Sequence, residues 1–257
     1  MRKLMVLLLA LPLLGWAQSP FDGTWKVDAS TAQFPQKPDV WVIQNGMFDC
    51  KTCVPPVNVK ADGQFQKVTG HPYYDEMMVK IVDDKHMEQA TKKNGKDMGS
   101  EKVALSDDGK ALNIDWVDKS APNGKEVTGK TTLTRVAAGP AGSNPMSGSW
   151  RAEKVADMSS EGLLFTYKST SDGMEYSNPM GQSYSAKFGG EFVPIKGDPG
   201  NTMVSIKKLG PNSFEETNKR DGKVVGIATM TVNGNKMNIA YDDKQHGTTT
   251  KVDAMKQ

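Results

Sequence analysis

Two tandem homologous antiparallel β domains that follow a signal peptide are the all-β fold that this 257-residue sequence predicts. Three observations support the prediction. Segments recur at a nearly constant offset, apolar and polar residues alternate with a period of two, and Asn-Gly or Asp-Gly pairs separate the alternating segments. Such alternation indicates strands with one buried face, and these pairs supply the positive φ angles of two-residue hairpin turns. Because a meander must hide its edges, each domain is expected to be a β-barrel or a β-sandwich.

The repeat is visible in turn glycines and in one tryptophan per copy. The offset is 127 for the glycines (190 − 63 and 222 − 95) and 125 for the tryptophans (150 − 25). Identical residues at equivalent places in both copies are those that folding requires. The predicted structural repeat residues are Trp25, Trp150, Gly63, Gly190, Gly95 and Gly222.

The N-terminus has the features of a signal peptide. Arg2 and Lys3 precede an apolar segment that is too short to span a bilayer comfortably, and Gly15 and Ala17 suit cleavage after residue 17. The alternative, an uncleaved membrane anchor, is disfavoured by this length. The mature protein is therefore expected to be periplasmic or secreted.

Composition divides the rest of the chain into two domains. The first β domain is predicted for residues 18–136 and the second for residues 146–257. The segment 137–145 between them is rich in Ala, Gly and Pro, which is typical of a linker that need not be ordered. A short helix is possible over residues 159–166.

The charge pattern excludes several classes of partner. The net charge is +2, and basic and acidic residues are interspersed. This distribution excludes a nucleic-acid surface and a polybasic membrane patch. No segment after the signal peptide is apolar enough to cross a membrane, so no membrane contact is expected after cleavage. We also expect no cofactor.

Methionine is abundant, with 15 in the chain, and together with histidine it raises the question of a copper site. Met87, however, aligns with Phe214 in the repeat, which favours an ordinary role in the core. Paired aspartates such as Asp107 and Asp108 lack the spacing of a calcium loop. We therefore predict no metal site.

The segments Gly23-Thr-Trp25 and Gly148-Ser-Trp150 open the two copies. They resemble the opening motif of lipocalins and related calycin-type barrels. The resemblance implies an eight-stranded barrel in which the Trp plugs the closed end and a small apolar ligand enters the open end. A second segment, from Glu216 to Lys223, resembles part of secreted bacterial proteins of unassigned role and implies no activity.

Cys50 and Cys53 are the two cysteines of the chain. A redox centre is disfavoured because Val54-Pro55-Pro56 opposes a helix after the second Cys. Val54 also stands where haem attachment requires His, and no second ligand pair suggests zinc. In an oxidising compartment the pair is expected to form a disulfide that makes one loop rigid.

The loop from His71 to Glu76 concentrates polar and aromatic residues that the second copy lacks. We predict that His71, Tyr73 and Tyr74 bind a ligand, because loops on a rigid scaffold often carry binding residues. Tyr73, Tyr74 and the disulfide loop should border one pocket of the first domain. An alternative is general-base catalysis by His71 with Asp75 or Glu76. No Ser elbow accompanies them, so we assign no catalytic residue.

The predicted function is that of an exported, non-enzymatic binding protein. Its partner would be a small apolar ligand or an envelope component. Two alternatives remain: a periplasmic hydrolase that uses the His71 loop, and a bivalent protein-interaction module whose joined copies provide avidity.

Overall fold

A computed structural model describes residues 19–257, and the predicted signal peptide, residues 1–17, lies outside them. The described chain forms twenty β-strands and one short helix. The predicted all-β fold is thereby confirmed. In chain order the elements are β1 (Gly23–Gln33), β2 (Asp39–Gln44), β3 (Met47–Cys50), β4 (Val57–Lys60), β5 (Gln66–Lys67), β6 (Glu76–Ile81), β7 (His86–Lys93), β8 (Lys96–Leu105), β9 (Ala111–Asp118), β10 (Val127–Ala138), β11 (Gly148–Ala156), α1 (Ser160–Leu163), β12 (Leu164–Ser169), β13 (Gly173–Ser177), β14 (Ser183–Lys187), β15 (Val193–Pro194), β16 (Met203–Gly210), β17 (Ser213–Arg220), β18 (Lys223–Asn233), β19 (Lys236–Asp243) and β20 (Thr248–Lys256).

The strands form two ten-stranded antiparallel sheets, each curled into a nearly closed barrel. The first barrel has the strand order β4-β3-β2-β11-β10-β9-β8-β7-β6-β5. The second barrel has the order β14-β13-β12-β1-β20-β19-β18-β17-β16-β15. Closure hides the sheet edges, as a long meander requires.

The seam of each barrel is held by a few hydrogen bonds to the backbone. In the first barrel the Gln66 side chain donates to the Lys60 carbonyl at 2.8 Å and accepts from the Lys60 N–H at 2.9 Å. In the second barrel Ser183 and Lys196 exchange two backbone hydrogen bonds of 3.1 and 2.8 Å. In the first barrel the Gln66 side-chain amide thus takes the place of backbone pairing between β4 and β5.

The two barrels do not coincide with the two halves of the sequence. β11 continues the meander of the first half and pairs with β10 and β2. β1 pairs with β12 and β20 in the second barrel. The first barrel therefore runs over residues 39–156, and the second combines 23–33 with 164–256. The boundary predicted at residues 137–145 separates the sequence repeats but not the barrels.

The segment predicted as a linker is tied to the first barrel. The Asn144 N–H donates to the Ile43 carbonyl at 2.8 Å, and the Arg135 guanidinium donates to the Pro145 carbonyl at 2.6 Å. Met146 is fully buried. The connection therefore acts as an ordered hairpin loop that turns β10 into β11, because consecutive antiparallel strands pair through short connections.

The two repeat tryptophans occupy equivalent places in the two barrels. Trp25 Nε1 donates to the Phe21 carbonyl at 2.8 Å, and Trp150 Nε1 donates to the Met146 carbonyl at 3.1 Å. Both side chains are fully buried. Trp25 packs in the core of the second barrel and Trp150 in that of the first. The Arg135 guanidinium covers Trp150 at 4.1 Å from the ring, a cation–π contact.

One of the two predicted pairs of turn glycines has matching roles, and the other does not. Gly95 and Gly222 have φ angles of 78° and 77° in the hairpins between β7 and β8 and between β17 and β18. Positive φ suits glycine and the two-residue turns expected there. Gly63 has a φ of 79°, whereas in the second copy the positive φ falls on Gly189 and not on Gly190.

Among residues 19–257, no helix has the length and apolar character needed to cross a membrane.

Candidate functional site

Each barrel encloses a cavity between the inward faces of its strands. Cavity 1, in the first barrel, has a volume of about 440 Å³. Cavity 2, in the second barrel, has a volume of about 510 Å³. Both volumes lie in the range of sites for small organic molecules.

Aromatic rings form much of the wall of cavity 1. Trp41, Phe48 and Trp116 point inward from β2, β3 and β9. Gly129 on β10 allows the Trp116 ring to lie flat against the sheet, because a Cβ atom at Gly129 would overlap that ring. Trp116 Nε1 donates to Thr131 Oγ1 at 3.0 Å, which fixes the ring. Trp41 Nε1 has no hydrogen-bond partner among the described residues.

A carboxyl group lines the same cavity. Glu101 lies on β8, on the face shared with the buried Val103 and Leu105, and opposite Gln89 on β7. Within residues 19–257 its carboxyl forms no hydrogen bond and no ion pair. Burial raises the pKa of Glu101, because the charged form loses hydration without gaining a partner.

The mouth of cavity 1 is built by two loops of the first barrel. Cys50 and Cys53 form the predicted disulfide and line the mouth together with Tyr74. The His71 ring stacks on Tyr74 with centroids 4.5 Å apart. Burial raises the pKa of Tyr74, and the Glu101 carboxylate raises it further, while burial lowers the pKa of His71. The disulfide loop and Tyr74 therefore border one cavity.

Tyr73 does not share this cavity, contrary to the prediction that both tyrosines border one pocket. The chain bends at Pro72 and Tyr73, and Tyr73 faces the second barrel and lines cavity 2. The Arg220 guanidinium lies 5.0 Å from the centre of its ring. Burial raises the pKa of Tyr73, and the Asp198 carboxylate adds to this effect.

The second barrel contributes to cavity 1 in return. His246, from the turn between β19 and β20, lines cavity 1. Its Nδ1 lies 2.6 Å from Asp243 Oδ2, and its carbonyl accepts a hydrogen bond of 2.8 Å from Lys37 Nζ. A groove between the barrels shares His246 and Cys53 with cavity 1 and therefore lies next to it. Each cavity thus has a rim residue from the other barrel.

Cavity 2 contains a carboxyl group whose partners are in place. Glu216 Oε1 accepts a hydrogen bond of 2.7 Å from the Tyr167 hydroxyl and another from the Tyr184 hydroxyl. Burial raises the pKa of Glu216, and these two hydrogen bonds oppose the rise. Burial also raises the pKa of the neighbouring Tyr176 to about 12. Asn218 Oδ1 has no hydrogen-bond partner in the described part of the chain.

The two cavities are related by the sequence repeat, but their carboxyl groups lie on different strands. Glu216 occupies the place of Gln89 (216 − 89 = 127), and Ala228 occupies the place of Glu101 (228 − 101 = 127). Each pair faces across two neighbouring strands. The copies therefore share a scaffold and differ in which strand carries the acid.

The alternative of general-base catalysis finds little geometric support. The Asp75 carboxylate accepts the backbone N–H of Asn94 at 2.9 and 3.2 Å. His71 forms no hydrogen bond with Asp75 or Glu76 in the described residues, and its ring lies on Tyr74 instead. The loop thus supplies a packed rim and no arrangement of a base with an orienting acid.

Sequence reasoning missed the acids inside the barrels, although a signal was present. The alternation that identifies Val103 and Leu105 as inward also places Glu101 inward. Likewise Phe214 is buried two positions before Glu216 on β17. A charged residue on the apolar face of an amphipathic strand marks a candidate site. By contrast, no local pattern marks His246, because it reaches cavity 1 from the other barrel.

We expect the Glu101→Gln variant to be more stable than the parent protein at neutral pH. An acid whose pKa is raised by folding binds protons in the native state, so stability is greatest at low pH and falls as pH rises from the ordinary carboxyl value through the raised one. The amide removes this loss. Thermal melts should show a higher Tm for the variant at about pH 7 and equal values at about pH 4. Equal melting temperatures at both pH values would contradict the expectation.

No protein-family model, curated protein or solved structure matches this chain.

Proposed function

We propose that this protein is an exported, non-enzymatic binding protein that holds a small, partly apolar molecule inside a barrel. The observation that carries the proposal is cavity 1. It combines aromatic walls with the Glu101 carboxyl, which forms no hydrogen bond or ion pair within residues 19–257, and with the Trp41 indole N–H, which has no partner there. Unpaired polar groups inside an apolar cavity cost stability unless a ligand satisfies them.

The rim supports the same function. The disulfide between Cys50 and Cys53 makes one side of the mouth rigid, and Tyr74 with the stacked His71 forms another. A preorganised rim lowers the entropy lost on binding. The disulfide also suits an oxidising compartment such as the periplasm or the cell exterior.

An uncharged fluorescent dye, N-phenyl-1-naphthylamine, tests the proposal. Its fluorescence should rise saturably on addition of the protein, because aromatic walls shield a bound dye from water. Thr91 lines cavity 1, and Asn218 occupies the equivalent place in cavity 2. We expect Thr91→Phe and Asn218→Phe each to remove part of the signal and the double variant to remove it.

The control variant is Thr128→Phe, which places the same side chain on the exposed face of β10. It should bind the dye like the parent. Thermal melts of all variants establish that the barrels are folded. A parent that shows no saturable signal, or a folded double variant with unchanged binding, would overturn the proposal.

A further inference from the structure

The acidic residues that line cavity 1 are not balanced by basic ones. Its lining residues include Asp39, Glu101 and Asp118 and, within the described part of the chain, no Lys or Arg. The chain as a whole carries a formal charge of +2, so the acidic lining does not reflect general composition. The imidazole of His246 is directed at Asp243, which is its own acidic partner.

The three carboxyl groups differ in their partners. Asp118 Oδ1 accepts the backbone N–H of Ser120 at 2.7 Å. Asp39 Oδ1 accepts the Thr52 hydroxyl at 3.3 Å. Glu101 forms no hydrogen bond or ion pair within residues 19–257. A carboxyl that faces a largely apolar cavity without a partner in the described chain is compensated best by a cation from outside the chain.

The walls around Glu101 suit a cation that carries an apolar body. The rings of Trp41, Phe48, Tyr74 and Trp116 all border the cavity. Aromatic faces attract ammonium groups through their quadrupoles and bury hydrocarbon at the same time. Two indoles and one phenol next to an acid therefore form a surface that fits an organic ammonium ion.

A metal ion fits these residues less well. In the described part of the chain, no group of three or more His, Cys, Asp or Glu side chains converges to hold a metal. The volume of about 440 Å³ also far exceeds that of a bare ion and matches an organic molecule.

Cavity 2 provides an internal contrast. There the carboxyl of Glu216 is satisfied by Tyr167 and Tyr184, and the lining includes the cationic Arg220. The lining also includes Asp198 and Glu161, which accept hydrogen bonds from the Thr202 N–H at 2.7 Å and from the Ser160 hydroxyl at 3.2 Å. An incoming cation would therefore meet a positive group and acids that are already bonded. The two copies are thus chemically different sites on one scaffold.

We propose that cavity 1 binds an organic ammonium ion with an apolar body, with the Glu101 carboxylate pairing with the ammonium group and the aromatic walls enclosing the rest. This inference rests on the proposed binding function and names the class of ligand for one of its two cavities.

Three probes with a common phenylethyl body test the inference: 2-phenylethylamine, 2-phenylethanol and 3-phenylpropionate. They are titrated into the full mature protein at neutral pH by calorimetry. We expect the amine to bind at least tenfold more tightly than the alcohol and the carboxylate not to bind. Glu101→Gln should weaken the amine at least tenfold and leave the alcohol unchanged, because an amide keeps the shape but loses the charge.

Two further variants separate charge from structure. Asp115→Asn removes a carboxylate from the exposed face of β9 in the same barrel, outside the cavity, and should leave amine affinity unchanged. The double variant Gln89→Glu, Glu101→Gln returns a carboxylate to the same cavity from the opposing strand, and it should recover part of the affinity. A double variant that binds like Glu101→Gln would contradict the role of charge.

The outcomes distinguish this inference from the proposed function. If the naphthylamine dye binds but the amine shows no advantage over the alcohol, or Glu101→Gln leaves the amine affinity intact, the ammonium inference is overturned and the binding function stands. If neither dye nor amine binds, both are overturned.

Discussion

Replacement of Trp25 by Ala should destabilise the barrel formed by the other half of the sequence. Trp25 is fully buried in the core of the second barrel, although it opens the first sequence repeat. Truncation of a buried Trp typically costs about 3–5 kcal/mol. Hydrogen exchange should therefore speed up by roughly two to four orders of magnitude in residues 164–256. Exchange in residues 39–138 should change little.

Trp150→Ala is the matched control for that experiment. Trp150 packs in the first barrel, so its loss should accelerate exchange in residues 39–138 and spare 164–256. The pair of variants thus gives opposite patterns from equivalent residues. If each variant instead loosened its own sequence half, the arrangement of β1 and β11 would be refuted.

Removal of β1 should abolish the cooperative folding of the second barrel. β1 lies between β12 and β20, so a chain that begins at Asp39 leaves both of these strands with unpaired edges and an empty place for Trp25. The first barrel is continuous over residues 39–156 and should remain folded. Calorimetry should show the loss of one thermal transition, and hydrogen exchange should assign it to residues 164–256.

A synthetic peptide of residues 19–38 should restore the missing transition. Strand addition to an open sheet uses main-chain hydrogen bonds, and here the Trp25 side chain would also refill the core. The same peptide with Ala in place of Trp25 should be much weaker. A truncated chain with two normal transitions would contradict the prediction, as would rescue that does not depend on Trp25.

The acids inside the barrels, Glu101 and Glu216, show what the local sequence pattern can predict and what it cannot. Strand alternation is a property of neighbouring residues, so it predicts that Glu101 shares a face with Val103 and Leu105. It cannot reveal that Glu101 lacks a partner whereas Glu216 has two tyrosine hydroxyls, because Tyr167 and Tyr184 come from strands far away in the chain. The chemical difference between the cavities depends on those distant strands.

The opposite directions of Tyr73 and Tyr74 illustrate the same limit. Their position in a polar and aromatic loop suggested a binding rim, and both do line cavities. Which cavity each lines depends on the contact between the barrels, which brings Tyr73 next to Arg220. One segment therefore borders two sites.

The amino-acid sequence by itself determined the all-β class, the duplication and the hairpin turns at Gly95 and Gly222, because period-two alternation and positive φ are local properties of the chain. The tertiary structure decided which barrel each repeat tryptophan enters. β1 and β11 are equivalent strands of the two sequence repeats. The sequence pattern alone therefore does not determine which barrel each strand completes. The short loop after β10 turns the chain back, so β11 pairs with its neighbour and β1 fills the equivalent place beside β20.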